Sequence, residues 1–122
     1  MKLDKIISNN RIHIVFDKTK NSLKVKNLIE KKIKLWKLNS AELIVVLGGD
    51  GFMLETLKKL YKLKKPFYGL NTGNYGFLMN RLSIKNFLKN LKSSNVIKIH
   101  PLIMNVISKN NQKKSSIAIN EV

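Results

Sequence analysis

Apolar and polar positions along the chain switch repeatedly between a strand-like and a helix-like pattern. Leu43 to Leu47 is a continuous apolar run that reads as a buried strand, with Arg11 to Phe16 before it and Pro66 to Leu70 after it as two further strands. Between the first two, Ser22 to Trp36 carries Val25, Leu28, Ile29, Ile33 and Trp36 at helical spacing, with lysines on the other face. A second helix is expected from about Phe52 to Leu63, burying Met53, Leu54, Leu57, Leu60 and Tyr61 and stopping before Pro66. Ser83 is the expected N-cap of a third helix, in which Ile84, Phe87, Leu88 and Leu91 fall at i, i+3, i+4 and i+7. Val96 to Ser108 and Ser115 to Val122 read as two strands joined by the polar turn Lys109-Asn110-Asn111-Gln112. Strands alternating with helices predict an α/β fold, a three-layer, Rossmann-like, doubly wound parallel sheet. The terminal strand pair is expected to begin something else.

The second strand runs directly into Gly48-Gly49-Asp50-Gly51 and then into the second helix. Glycines at a strand exit let backbone N–H groups close on a phosphate with no Cβ in the way. The helix that follows adds unpaired N–H groups and the positive end of its dipole. A carboxylate there repels phosphate, so Asp50 is better suited to orient or deprotonate a hydroxyl that attacks a phosphoryl group. The alternative is a tight turn in which Asp50 only caps the helix. No Gly-Lys-Ser/Thr follows, which excludes a P-loop and leaves phosphate binding to backbone and metal.

The third strand likewise ends in a glycine-spaced loop, Asn71-Thr72-Gly73-Asn74-Tyr75-Gly76-Phe77-Leu78. Two such loops meeting at the carboxyl edge of an open α/β sheet form the usual ligand crevice of that architecture. Far downstream, Ile117-Ala118-Ile119 leads into Asn120-Glu121. With Gly48-Gly49-Asp50-Gly51, Gly69-x-Asn71-x-Gly73-x-x-Gly76-Phe77-Leu78 and Asn120-Glu121 in this order, the chain resembles the NAD kinase family from about Val45 to Val122. The resemblance implies phosphorylation of the adenosine-ribose 2′-hydroxyl of NAD to give NADP. ATP and NAD would be the substrates, a divalent metal (Mg²⁺) would assist, and the full-length protein would be a homo-oligomer.

By the same resemblance Asp50 is the catalytic carboxylate, and Gly48, Gly49 and Gly51 admit phosphate oxygens to backbone N–H groups. Asn71, Gly73 and Gly76 shape the second loop. Phe77 and Leu78 match positions bordering the adenosine site, although they serve equally well as core residues beneath the loop. Asn120 and Glu121 match a pair that contacts the dinucleotide; their other reading is a solvated pair. Glu55 departs from members with a basic residue at that position. His13 and His100 have no Asp or Glu partner at ligand spacing and read as structural. NAD kinases have an α/β domain followed by a β-rich one. Residues 1–95 are expected to be the former and 96–122 the first strands of the latter. The chain is thus expected to be an N-terminal portion with negligible NAD kinase activity by itself. Two alternatives stand beside this reading: a lipid or sugar kinase sharing the Gly-Gly-Asp-Gly turn, and a catalytically incomplete fragment acting as an oligomerisation or regulatory module. Inorganic polyphosphate as donor and NADH as acceptor also stay open.

Composition narrows the setting. A chain of 122 residues suffices for one domain with its own core. With no cysteine, disulfides and cysteine-based metal sites are excluded. Neither a signal-peptide core at the N-terminus nor an apolar run near the roughly 20 residues of a membrane span is present, so a soluble cytoplasmic protein without membrane association is expected. The net charge of +17 arises from 24 basic residues, of which only Arg11 and Arg81 are arginine. Sequence-specific nucleic-acid readers rely on arginine and aromatic platforms. The lysines here are spread over helices, in keeping with the codon bias of an AT-rich genome, and no specific nucleic-acid partner is expected. Weak polyanion affinity would be a by-product.

Overall fold

The computed structural model describes residues 1–5, 9–73 and 78–97, together with the backbone of residues 99–107 and 113–121. Three parallel strands, β1 (Ile12–Phe16), β2 (Leu43–Gly48) and β3 (Phe67–Asn71), form one sheet in the order β1-β2-β3. All of β2 is buried. It is central and covered on both faces, which is why its sequence is a continuous apolar run. The register sets Ile14 against Val45 and Val45 against Tyr68, so the strand ends Phe16, Gly48 and Asn71 come out on one edge.

Three helices accompany the sheet: α1 (Lys20–Glu30), α2 (Asp50–Leu60) and α3 (Phe87–Ser93). Ile12, Ile14, Val45 and Leu47 pack with Val25 and Ile29 of α1 and with Phe87 and Leu91 of α3 on one face. Ile44 and Val46 pack with Met53 and Leu57 of α2 on the other. The result is the expected three-layer α/β arrangement. Each such side chain, fully buried, contributes roughly 1.5–3 kcal/mol of transfer free energy.

The helix ends differ from those expected. α1 begins earlier because Thr19 caps it, its hydroxyl accepting from the Ser22 N–H at 3.2 Å. It ends at Glu30 rather than Trp36. Beyond it Leu35 bridges Ile12 in parallel, and the Trp36 N–H donates to the Ile12 carbonyl at 2.8 Å. Ile33 and Leu35 keep the apolar periodicity by packing against the same core from outside the helix. α2 begins at Asp50 rather than Phe52 and ends at Leu60, followed by a 3-10 turn over Tyr61–Leu63. Leu54, expected inside, is 36% exposed, while Thr56 is buried with its hydroxyl donating to the Phe52 carbonyl at 2.8 Å. α3 begins at Phe87, not after Ser83; Ile84 packs against the core from the preceding turn.

The Leu35 bridge also explains the winding. Two right-handed crossovers advancing in one direction across a sheet place their helices on the same face, yet α1 and α2 lie on opposite faces. Ile12 pairs with Leu43 of β2 on one side, so Leu35 lies on the other. The chain therefore winds outward from β1 to Leu35 and then returns across to β2. The winding reverses between β1 and β2, which makes their carboxyl ends the topological switch point of the sheet.

β4 (Ile99–Ile107) and β5 (Lys113–Glu121) pair antiparallel in a separate two-stranded sheet. The expected turn Lys109–Gln112 lies outside the described residues. Among the described residues no helix is long and apolar enough to cross a membrane.

Candidate active site

The carboxyl edge of the sheet gathers Asp17, Gly48 to Gly51 and Asn71 to Gly73. Gly48 closes β2 in a crowded position. A Cβ there would lie 2.9 Å from Phe52 Cδ2, 3.1 Å from Phe52 Cβ and 3.1 Å from Asp17 Oδ2. Glycine at 48 is thus required by packing at the start of α2. Gly49 and Gly51 differ: a Cβ on either would meet nothing within 4 Å among the described residues, and neither has a positive φ. Gly49 is the N-cap of α2, extended at φ −115° and ψ −173°, and supplies no side-chain cap. The first-turn N–H groups of this eleven-residue helix lack intrahelical partners, and no described residue crowds the Cβ positions of Gly49 and Gly51 beside them.

Asp50 is the first residue of α2 and half-buried. Its Oδ1 accepts the Leu78 N–H at 2.9 Å, across the edge from the second glycine loop. The carboxylate is thereby oriented by the opposite loop, beyond any role in its own helix. Leu78 is 47% exposed, which places it outside the core. Phe77 lies outside the described residues, as does Gly76.

The second loop leaves β3 and returns beside it. Asn80 bridges Leu70 in parallel, taking the Asn71 N–H on its carbonyl at 3.0 Å and giving its own N–H to the Gly69 carbonyl at 2.7 Å. Asn71 Oδ1 accepts the Gly73 N–H at 2.9 Å, a local turn of the kind asparagine favours. The Thr72 N–H donates to the Gly48 carbonyl at 3.1 Å, tying the two glycine loops directly. Gly69 permits the close return: a Cβ there would lie 2.5 Å from Met79 Sδ.

Sequence reasoning missed Asp17. Its carboxylate is fixed at the end of β1 by the Thr19 hydroxyl at 2.6 Å and the Thr19 N–H at 3.2 Å. Burial opposes its charge, but hydrogen bonding from the side chains of Ser22 and Thr19 and from the Thr19 backbone outweighs this and holds the carboxyl below its ordinary value. The available signal was its place immediately after a strand, on the edge where the glycine turns also lie. Asn120 and Glu121 are described by backbone alone, opposite His100 and Ile99 in the hairpin. His13 is structural, its Nδ1 sharing a hydrogen bond with the Trp36 carbonyl at 2.8 Å. Among the described residues, no group of three or more His, Cys, Asp or Glu could hold a metal ion.

A family model described as the ATP-NAD kinase N-terminal domain matches residues 5–97. The chain belongs to this family. The match takes in β1 through α3, so the ATP-NAD kinase N-terminal domain coincides with the three-layer unit and stops short of β4. Among relatives, the chain is 40% identical to the NAD kinase of Rickettsia prowazekii (strain Madrid E) over 113 residues, 93% of this chain and 44% of that protein. It is 38% identical to the NAD kinase of Rickettsia typhi (strain ATCC VR-144 / Wilmington) over 116 residues, 95% of this chain and 46% of that protein. The chain thus spans somewhat under half the length of these relatives.

Proposed function

We propose that the chain carries the catalytic carboxylate and the phosphate-facing loops of an NAD kinase, transferring the γ-phosphoryl group of ATP to the adenosine-ribose 2′-hydroxyl of NAD. The observation that carries this reading is the pair Gly49 and Gly51 beside Asp50. Among the described residues nothing packs where either Cβ would lie, and neither backbone conformation demands glycine. Serine or aspartate at 49 would cap the helix better, and alanine at 51 would stabilise it. Retaining two less stable choices at one helix start is explained by a ligand that needs the room, and a phosphate needs it most.

In this reading the acceptor hydroxyl gives its proton to Asp50 as its oxygen bonds to the γ-phosphorus and the bond to the bridging oxygen of ADP breaks. The Leu78 N–H aims the carboxylate, and the first turn of α2 holds phosphate oxygens. Such transfer requires positioning and charge stabilisation more than covalent help from the protein. A divalent ion would supply charge neutralisation. The described residues offer no carboxylate cage for one, so it would arrive as Mg·ATP, and Asp50 and Asp17 are the carboxylates at this edge that it would meet. Asn120 and Glu121 would fix the acceptor, with Phe77 and Leu78 beside the adenosine. Residues 1–95 would form the kinase domain and 96–122 the first strands of a β-rich one. The end of the family match at residue 97 and the separate pairing of β4 with β5 support that division. A homo-oligomer working in the cytoplasm completes the proposal.

The test is a coupled NADP-formation assay on a chimera in which this chain replaces the matched segment of the Rickettsia prowazekii NAD kinase, with folding followed by circular dichroism. The chimera should turn over, and Asp50→Asn should lower turnover by roughly 10²–10⁴-fold with less effect on Mg·ATP affinity. A folded chimera that binds neither substrate, or that is indifferent to Asp50→Asn, would refute the proposal.

A further inference from the structure

Under the two glycine loops lies a buried polar network that the kinase reading does not use. Ser22 in the first turn of α1 is 0% exposed and Thr72 at the end of β3 is 7% exposed, among strands that are otherwise apolar at this depth. Their hydroxyls are 2.7 Å apart, and the Ser22 hydroxyl also reaches the Leu47 carbonyl at 3.4 Å. Asn21 Nδ2 donates to the Thr72 carbonyl at 3.0 Å, while the Thr72 N–H donates to Gly48. Thr72 thus has its hydroxyl, carbonyl and N–H all engaged, by two residues of α1 and by the last residue of β2.

The loop that follows Thr72 is fixed at its far end by Leu78 on Asp50 and by Asn80 on Gly69. At its near end, side chains of α1 hold Thr72, beside the local turn that Asn71 makes with Gly73. A buried hydroxyl pair has one partner geometry and a cost for losing it, so it holds a loop more rigidly than apolar packing does. Helix α1 makes no other hydrogen bond to the two loops among the described residues.

We propose that Ser22 and Thr72, assisted by Asn21, are positioning residues that lock the end of β3 to α1 and so, through the pairing of Asn71 with Asn80, keep the Leu78 N–H aligned on Asp50. The consequence for catalysis rests on the kinase reading above; the mechanical coupling does not. Neither hydroxyl touches substrate in this account. They act through the loop, on the direction in which the Asp50 carboxylate points.

The measurement is amide hydrogen exchange by NMR on the chain as it stands, comparing wild type, Thr72→Val, Ser22→Ala and Thr72→Ser. Val25→Ala, a core deletion lower on α1, serves as a control for plain loss of stability. Exchange of the Leu78 amide should accelerate by about tenfold or more in Thr72→Val and Ser22→Ala, while amides of β2 hold their wild-type rates. Thr72→Ser should restore protection, and Val25→Ala should leave Leu78 unaffected relative to β2. In the chimera, Thr72→Val should lower turnover about tenfold while changing the KM for ATP less than twofold, as expected for misaligned rather than missing chemistry. Leu78 exchange within twofold of wild type in both hydroxyl variants would overturn the inference. So would equal acceleration in Val25→Ala. Failure of the kinase reading shows separately, as a wild-type chimera that makes no NADP while the exchange pattern stands.

Discussion

Gly51→Ala sets the stability of α2 against the binding its first turn is thought to perform. Gly51 is the second residue of the helix and exposed, with no atom of the described residues within 4 Å of where its Cβ would go and no left-handed φ to strain an alanine. On structural grounds alone the substitution is favourable, by about 0.4–1 kcal/mol, through reduced freedom of the unfolded chain and better helix propensity. For a domain of this size that raises Tm by about 2–5 °C. Binding should move the other way. If a phosphate oxygen accepts from the first-turn N–H groups, a methyl group at 51 occupies its approach and costs about one charge-assisted hydrogen bond, roughly 1.5–3 kcal/mol. That is about 10- to 100-fold in affinity. The assays are thermal unfolding by circular dichroism and calorimetric titration with Mg·ATP. Gly48→Ala is the contrasting case. Its Cβ would press on Phe52 Cβ and on Asp17 Oδ2, each at 3.1 Å, so overpacking should lower stability by about 1–3 kcal/mol and disturb binding as well. A Gly51→Ala protein that is more stable and binds Mg·ATP as wild type would show that the open space is not used. One that is less stable would show that the fold needs this glycine after all, and the reasoning from unneeded glycines would fail.

Two further outcomes follow from charge. The Asp17 carboxyl is held below its ordinary value, so its bonds to Thr19 stabilise the fold above the unfolded-state pKa and are lost as pH falls through the folded-state one. Asp17→Asn should therefore be less stable than wild type near neutrality, and the difference in Tm should shrink as pH falls from about 5 towards 2; a constant difference would contradict the assignment. With a net charge of +17 carried almost wholly by lysine, binding to duplex DNA should be weak, independent of sequence and steeply reduced by salt. Tight binding to one sequence near physiological salt, in a mobility-shift titration, would contradict that.

The three strands were legible because burial on both faces leaves its mark directly in the sequence: β2 is apolar from Leu43 to Leu47 whatever its neighbours do. Helix ends were less so. The run Asp17-Lys18-Thr19-Lys20-Asn21-Ser22 holds several residues able to cap, and only the Thr19 geometry decides among them. Ile33, Leu35 and Ile84 illustrate a different limit. Each is where the apolar pattern wants it, packed against the core, but on a connecting segment. Periodicity reports which side of the chain is buried; it does not report whether the backbone is helical at that point. The site divides the same way. Asp50 and the glycines are candidates from a local motif, whereas Asp17, Ser22 and Thr72 come to the same edge because β1 and β3 flank β2, a fact of long-range pairing.

The reversal of winding between β1 and β2 joins these observations. Because the chain first goes outward to Leu35, the loop after β1 and the loop after β2 lead to helices on opposite faces and splay apart. Open α/β sheets bind their ligands at such a point, and here Asp17 stands on one side and the start of α2 on the other. Gly48 sits between them, small because both sides press on it. From the end of the second glycine loop, the Leu78 N–H donates to Asp50. In the proposed reading a carboxylate beside a phosphate is unfavourable unless its orientation is controlled, because like charges repel. The hydrogen bond from Leu78 contributes to that control, and Thr72, at the exit of β3, is held by side chains of α1 on the other face of the sheet. Asp50, on α2, is thus governed by α1 through Thr72.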